Sequence, residues 1–496
     1  MFSLYAAHID HKKGALLELL TDLKKMLDIF ADIHIIVASR QSFRLGQITG
    51  LNVQLEGTIL IKNVLERRIT MSWDFKDFGR NEVTRRRFLK LLALTGTVSS
   101  VELFGPFKKM GFGAEKPIKI GKPDPYTGVY TTLGTWGLWG GMLAVNRWNK
   151  EGGVNGRPVE LITEDDKAEV PTALRKLRKL ILQDEVDAIQ GFTSSKVCLG
   201  VMPTVRELKT VLFTGICMAA EITNENADRY TFRGYDNAIL KDMSIAPFLV
   251  KNVAKKWFSV YVDYAWGQSH NKEIKKYLEK AGGQFVGSIG IPNGTEDMVP
   301  YLSKIDPKAE GIYMTFAGHD AVIGVKQAHE LGLTKKKKMA GPGATVSESE
   351  LFAQGDAANG IWFADRYVGA LEGKFNTEYN RKFQQEFKIV SGGQPANRYC
   401  LSEFESMNFL KLGMRQVNWK DKQTDTPKLI EALEGMKVNE GHDFPQGTKF
   451  MRAEDHQVFC RMIIGRVEKG VRRIIDVIPM EQVIYPPIVD VRKQPF

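Results

Sequence analysis

Three hydroxyl-bearing residues, Thr193-Ser194-Ser195, stand between a short apolar run at 188–190 and a helical pattern that starts near Val197. At such a strand-to-helix junction, hydroxyls and unpaired backbone N–H groups converge, which suits a carboxylate or another small anion. The same residues could simply cap the helix, and both roles stay open. Trp266, in Asp263-Tyr264-Ala265-Trp266-Gly267, is of a type that either stacks on a ligand or packs internally. Catalytic chemistry has less to build on: there is no HExxH, no GxSxG, no phosphate loop and no GxGxxG after a strand. The histidines His270, His319, His329, His442 and His456 are scattered, and Asp320 beside His319 is the most suggestive pairing. Cys198, Cys217, Cys400 and Cys460 form no CxxC or other metal-ligand spacing. No metal, no cofactor and no enzymatic activity are therefore expected. Buried free thiols are the default for the cysteines, with disulfides left open by the compartment argued below.

A chain of 496 residues, 43% hydrophobic and 26% charged, can bury more than one core. Its net charge of +11 is uneven: residues 1–114 hold 17 Lys+Arg against 11 Asp+Glu, leaving 52 against 47 in the remainder. More than half the excess lies in the leader, so a nucleic-acid partner is not indicated.

That leader contains Thr84-Arg85-Arg86-Arg87-Phe88-Leu89-Lys90 followed by an uncharged run, 91–101, too short to anchor in a bilayer. The stretch resembles the twin-arginine export signal, which implies export of the folded protein to the periplasm. Residues 71–114 are read as that signal, with the mature start near 114. Residues 1–70 precede it unusually and are read as an upstream extension that the working protein lacks, or else as a small cytoplasmic segment.

From residue 118 onward, short β-rich runs at 118–120, 159–163, 188–190, 211–213, 258–262, 285–289, 311–315 and 361–364 alternate with helical patterns at 133–149, 172–183, 240–253, 269–281 and 321–331. This alternation predicts an α/β fold, with two doubly wound parallel-sheet lobes joined by a hinge and a ligand cleft at the carboxyl ends of the strands. The helical region 376–436 is expected to complete the first lobe.

The order of Ile118-Lys119-Ile120-Gly121, Asn149-Lys150-Glu151-Gly152-Gly153-Val154-Asn155-Gly156-Arg157-Pro158, Glu164-Asp165-Asp166, Gly191-Phe192-Thr193-Ser194-Ser195, Phe232-Arg233, Gly355-Asp356-Ala357-Ala358-Asn359-Gly360 and Asp455-His456-Gln457 resembles the leucine/branched-chain amino-acid-binding family of ABC-transporter substrate-binding proteins. The likeness runs over nearly all of 116–480. It implies the type I periplasmic-binding fold, with lobe 1 at 116–236 plus 366–440 and lobe 2 at 237–365 plus 441–496. It also implies delivery of a small carboxylate-type ligand to the permease and ATPase subunits of an importer; a stand-alone sensor of the same fold is the alternative. By position in the family pattern, Leu133, Thr193, Ser194, Ser195, Cys217, Met218, Ala219 and Tyr235 would face the ligand from the first lobe, and Trp266, Phe316 to Gly318 and Gly343 from the second. Two positions depart from the pattern. Met218 falls near a place that often holds a Thr hydroxyl, and Gly343 near the acid that pairs with a ligand ammonium. An aromatic acid or an amide thus fits as well as an amino acid, unless Asp236 or Asp263 supplies the missing charge.

Overall fold

The computed structural model describes residues 116–496, together with two short strands, Ile36–Ala38 and Thr58–Leu60, which pair antiparallel and stand by themselves. The export-signal and extension readings of 1–114 otherwise lie outside the described residues.

The first sheet has five parallel strands in the order Val159–Asp165, Ile118–Asp124, Ala188–Gly191, Leu212–Thr214, Thr231–Phe232. Its central strands are buried on both faces, which explains why they read as apolar runs rather than alternating patterns. Helices Thr131–Lys150, Val170–Leu182 and Ser195–Glu207 form the crossovers between them.

The second sheet has seven strands in the order Val471–Ile478, Met462–Glu468, Trp362–Asp365, Lys338–Pro342, Gly311–Thr315, Lys256–Val262, Gln284–Ile291. Its centre is parallel and Met462–Glu468 and Val471–Ile478 add antiparallel at one edge. That edge hairpin was not among the sequence-predicted strands. Its signature is Lys469-Gly470, with φ of 52° and 72°, the positive pair a tight two-residue hairpin turn requires.

The region 376–436 forms helices Glu378–Val390, Arg398–Gln416 and Lys422–Leu433. Helix Arg398–Gln416 is buried along most of its length against Thr131–Lys150. The two backbones approach so closely that any Cβ at Gly140 would strike the Cys400 carbonyl. Trp148 donates its indole N–H to Asn408 at 2.8 Å across the same contact, and the pair shares the first sheet's core with Phe383, Phe387 and Phe404.

The chain passes between the two sheets three times: after Phe232, after Asp365 and again after Phe459. The first and third passages are bonded together. Arg233 N–H donates to the His456 carbonyl at 3.0 Å, Val458 N–H to the Arg233 carbonyl at 3.1 Å, and the rings of Phe232 and His456 stack at 3.8 Å. Gln457 accepts from Thr223 and Asn237 and donates to the Tyr235 carbonyl, so Phe232-Arg233 and Asp455-His456-Gln457, distant in sequence, are one structural unit.

Candidate functional site

Between the sheets lies a narrow cavity lined by residues of both lobes. Its walls are segments that leave the carboxyl ends of strands, the usual site in doubly wound folds. Tyr130 and Leu133 follow Ile118–Asp124; Thr193 and Ser195 follow Ala188–Gly191; Ile216 and Met218 follow Leu212–Thr214. From the second sheet come Tyr264 and Trp266 after Lys256–Val262, Ala317 after Gly311–Thr315 and Ala344 after Lys338–Pro342. Arg398 and Tyr399 complete it from the first turn of the long buried helix.

The handover at Phe192, whose φ is 66°, turns the chain so that Thr193 and Ser195 reach the cavity. Ser195 Oγ accepts the backbone N–H groups of Met218 and Ala219, each at 3.1 Å, which leaves its own proton for the cavity. Helix Ser195–Glu207 starts here, and the N–H groups of its first turn have no intrahelical acceptor. Thr193 instead gives its proton to Asp124 at 2.9 Å. Ser194 takes the N-cap position without a side-chain capping bond and does not reach the cavity wall.

Arg398 is the charged group of the wall. Its Nε donates to Asp365 at 2.8 Å and its Nη2 to the Met218 thioether at 2.8 Å, a weak acceptor. Asp365 also meets Lys241 at 3.1 Å and Arg472 at 2.6 Å. Burial works against the ionised form, but these three cations hold the Asp365 carboxyl well below the usual carboxylate range. The same ions continue away from the cavity. Lys241 and Arg366 flank Asp236, Arg366 and Lys449 flank Glu405, and Arg472 reaches Glu348. Nearby, burial pushes the Glu350 carboxyl up to about 7.

Two donors on the wall have no partner among the described residues: Trp266 Nε1 and Tyr399 Oη, both in buried side chains. Burial, with Glu350 adding to it, raises the Tyr399 phenol well above its ordinary value, so it stays protonated. The rest is apolar or aromatic; Tyr130 and Tyr264, and Tyr264 and Trp266, lie with ring centroids 6.2 Å apart. No Asp or Glu lines the cavity among the described residues.

Of the sequence-predicted residues, Leu133, Thr193, Ser195, Met218 and Trp266 are on the wall, as is Ala317 from the run 316–318. Five others stand behind it. Cys217 donates its thiol to the Phe192 carbonyl at 2.8 Å. The Ala219 carbonyl takes Arg233 at 2.8 Å. Tyr235 spends its hydroxyl on Thr214 and the Cys217 carbonyl. Phe316 is buried in the second lobe's core. Gly343 lies against Asp365 and Arg472, which any Cβ there would strike. Neither alternative acid supplies the wall: Asp236 is tied to Lys241, and Asp263 accepts from Gln268 at 3.0 Å. Sequence reasoning missed Tyr130, Ile216, Tyr264, Ala344, Arg398 and Tyr399. Tyr130 could have been found from Leu133, three residues on and thus on the same helical face. For Arg398 and Tyr399 the available signal was Asn397, a residue type that caps helix starts, which here accepts the N–H groups of Tyr399 and Cys400; nothing in the sequence distinguished Ile216.

Two doubly wound lobes around a narrow cavity, with the chain crossing between them three times, define a solute receptor of the hinged-trap class. The chain matches the family described as periplasmic binding protein over residues 117–472, and it belongs to that family. The leucine-, isoleucine-, valine-, threonine- and alanine-binding protein of Pseudomonas aeruginosa is 25% identical over 348 residues, covering 68% of this chain and 88% of its own. Among solved structures, an ABC-transporter solute-binding protein of Rhodopseudomonas palustris BisB5 in complex with 3,4-dihydroxybenzoic acid superposes with a TM-score of 0.67 at 24% identity, covering 73% of this chain and 98% of that one. A leucine-binding protein of Thermotoga maritima superposes with a TM-score of 0.64 at 20% identity, covering 73% and 99%. These likenesses establish the type I periplasmic-binding fold. Family membership indicates a periplasmic protein. No helix among the described residues is long and apolar enough to cross a membrane.

Proposed function

We propose that this protein captures a small carboxylate lacking an α-ammonium group, with an aromatic or bulky apolar body, and delivers it to the permease and ATPase of an ABC importer. The observation that carries this reading is the charge chemistry of the cavity: Ser195, a helix amino end and Arg398 on the wall, and no carboxylate there among the described residues. A ligand carboxylate would gain charge-assisted hydrogen bonds. A ligand ammonium would find no anion and would share the cavity with a guanidinium. A missing charge-assisted bond is worth roughly 1.5–3 kcal/mol, about ten- to a hundredfold in affinity. The walls of Tyr130, Tyr264, Trp266, Tyr399, Leu133 and Ile216 favour a flat apolar body. Solved relatives of the same fold hold benzoate and 3,4-dihydroxybenzoic acid, and this agrees with the reading without deciding it. The leader's resemblance to a twin-arginine signal makes export in folded form part of the proposal.

A thermal-shift comparison tests it. Benzoate and 3-phenylpropanoate should raise the unfolding temperature of the purified protein, because a ligand that binds only the folded state stabilises it. Stabilisation by leucine, isoleucine or valine with none by either acid would refute it.

A further inference from the structure

The donors on the cavity wall outnumber what one carboxylate can accept. Ser195 Oγ–H and the free backbone N–H groups of Ser195, Lys196 and Val197 gather at the helix start. A carboxylate offers about four lone-pair sites, so this end alone can saturate it. Arg398, Tyr399 and Trp266 then remain. Trp266 Nε1 and Tyr399 Oη, in two residues that line the cavity, are buried and without a partner among the described residues, while one edge of Arg398 is spent on a thioether. Buried donors left unpaired cost free energy, and no described residue pairs them. The nearby His270 Nε2 and Glu350 Oε1 are likewise buried without a partner among the described residues. His270 meets Trp266 edge-to-face, with ring centroids 5.5 Å apart, and its own Nδ1 is committed to Asp242.

Charge narrows what can fill the gap. Behind Arg398, the cations Lys241, Arg366, Lys449 and Arg472 are matched by the carboxylates of Asp236, Glu348, Asp365 and Glu405, with the Glu350 carboxyl, pushed up to about 7, beside them; Arg398 is the one cation on the wall among the described residues. One ligand carboxylate balances it. A second anion would be buried without a counter-charge, which is costly, whereas a neutral oxygen is not.

Building on the reading of the cavity as a carboxylate site, we propose that Arg398, Tyr399 and Trp266 form a second polar subsite that selects acids carrying a neutral oxygen, a hydroxyl or oxo group, over the unsubstituted acid. Where an amino-acid receptor would present an acceptor to an ammonium, this wall presents donors to an oxygen.

The test is titration calorimetry of the full chain against two matched pairs, benzoate with 4-hydroxybenzoate and 3-phenylpropanoate with phenylpyruvate. In at least one pair the oxygenated acid should bind about fivefold or more tightly than its parent. Trp266→Phe and Tyr399→Phe keep a ring in place and remove one donor each. At least one of them should reduce that preference to below about twofold, weakening the oxygenated acid more than its parent. If neither oxygenated acid outperforms its parent, or if both variants weaken parent and oxygenated acid alike, the second subsite is overturned and the carboxylate reading stands. If none of the four acids binds, the carboxylate reading falls and the subsite with it. The wild-type comparison decides the matter even if a variant fails to fold.

Discussion

Replacing Glu403 by glutamine should change how the protein's stability depends on pH. Glu403 is fully buried behind the cavity, where Lys122 Nζ lies 2.9 Å from it and also pairs with Asp124. One ammonium thus serves two carboxylates in the same desolvated space, and Gln190 donates to Glu403 as well. Burial, the largest influence, pushes the Glu403 carboxyl up to about 8; Asp124 adds to this and Lys122 opposes it. In the unfolded chain an ordinary glutamate titrates at about 4.3. Between those values the native state holds a proton that the unfolded chain has released. Stability therefore falls as pH rises, by up to about 1.4 kcal/mol per pH unit, and the contribution is fully lost once pH passes through the native value. The amide introduced by Glu403→Gln has the shape of the protonated acid and no titration. The test is urea denaturation of both proteins at half-unit steps from about pH 5.5 to about pH 8, the span below the native value in which the retained proton acts. The variant's stability relative to wild type should rise across that window by about 2–3 kcal/mol. Glu350 and Asp166, both pushed up to about 7 mainly by burial, contribute the same sign in both proteins and cancel in the difference. Because Asp124 and Glu403 share a site, the titration belongs to the pair. Parallel pH profiles would refute the assignment of a retained proton to this cluster.

Other substitutions test the supports of the cavity. Asn397 accepts the N–H groups of Tyr399 at 3.0 Å and Cys400 at 3.2 Å, so Asn397→Ala should cost about 1 kcal/mol in urea unfolding and weaken ligand binding by loosening Arg398 and Tyr399. Ser195→Ala leaves the Met218 and Ala219 N–H groups without their shared acceptor. It should lower stability by about 1–3 kcal/mol and carboxylate affinity in parallel calorimetry. Gly343→Ala drives a methyl group into the Asp365 carboxylate and should lower the unfolding temperature sharply, whereas Gly441→Ala, in open space, should not. All four cysteines are buried and free, so a thiol reagent should label almost none in the native protein within minutes and four after denaturation.

The lobed architecture was readable because its carriers are local. Apolar runs bounded by Gly, Asn and Pro mark the parallel strands, and the turn 152–158 ends the first long helix where the sequence places it. The hydroxyl run at 193–195 was legible for the same reason, as a junction between two local elements. What escaped depends on long-range packing. Arg398 looks in sequence like any helix-start arginine; its burial and its ties to Asp365 and Met218 come from residues 33 and 180 positions away. Cys217, Ala219 and Tyr235 were placed on the wall by their position in the family pattern. Their polar atoms are consumed by Phe192, Arg233 and Thr214, partners that local sequence cannot announce. Gly343 reads in sequence as a missing acid. In the structure it is the space that Asp365 and Arg472 need.

On the function proposed above, the cavity receives a carboxylate and rejects an ammonium beside it. Titration calorimetry with phenylalanine and 3-phenylpropanoate, which share ring, chain and carboxylate and differ in the ammonium group, tests that claim most directly. On that function 3-phenylpropanoate should bind at least about tenfold more tightly. Tighter binding of phenylalanine would contradict it.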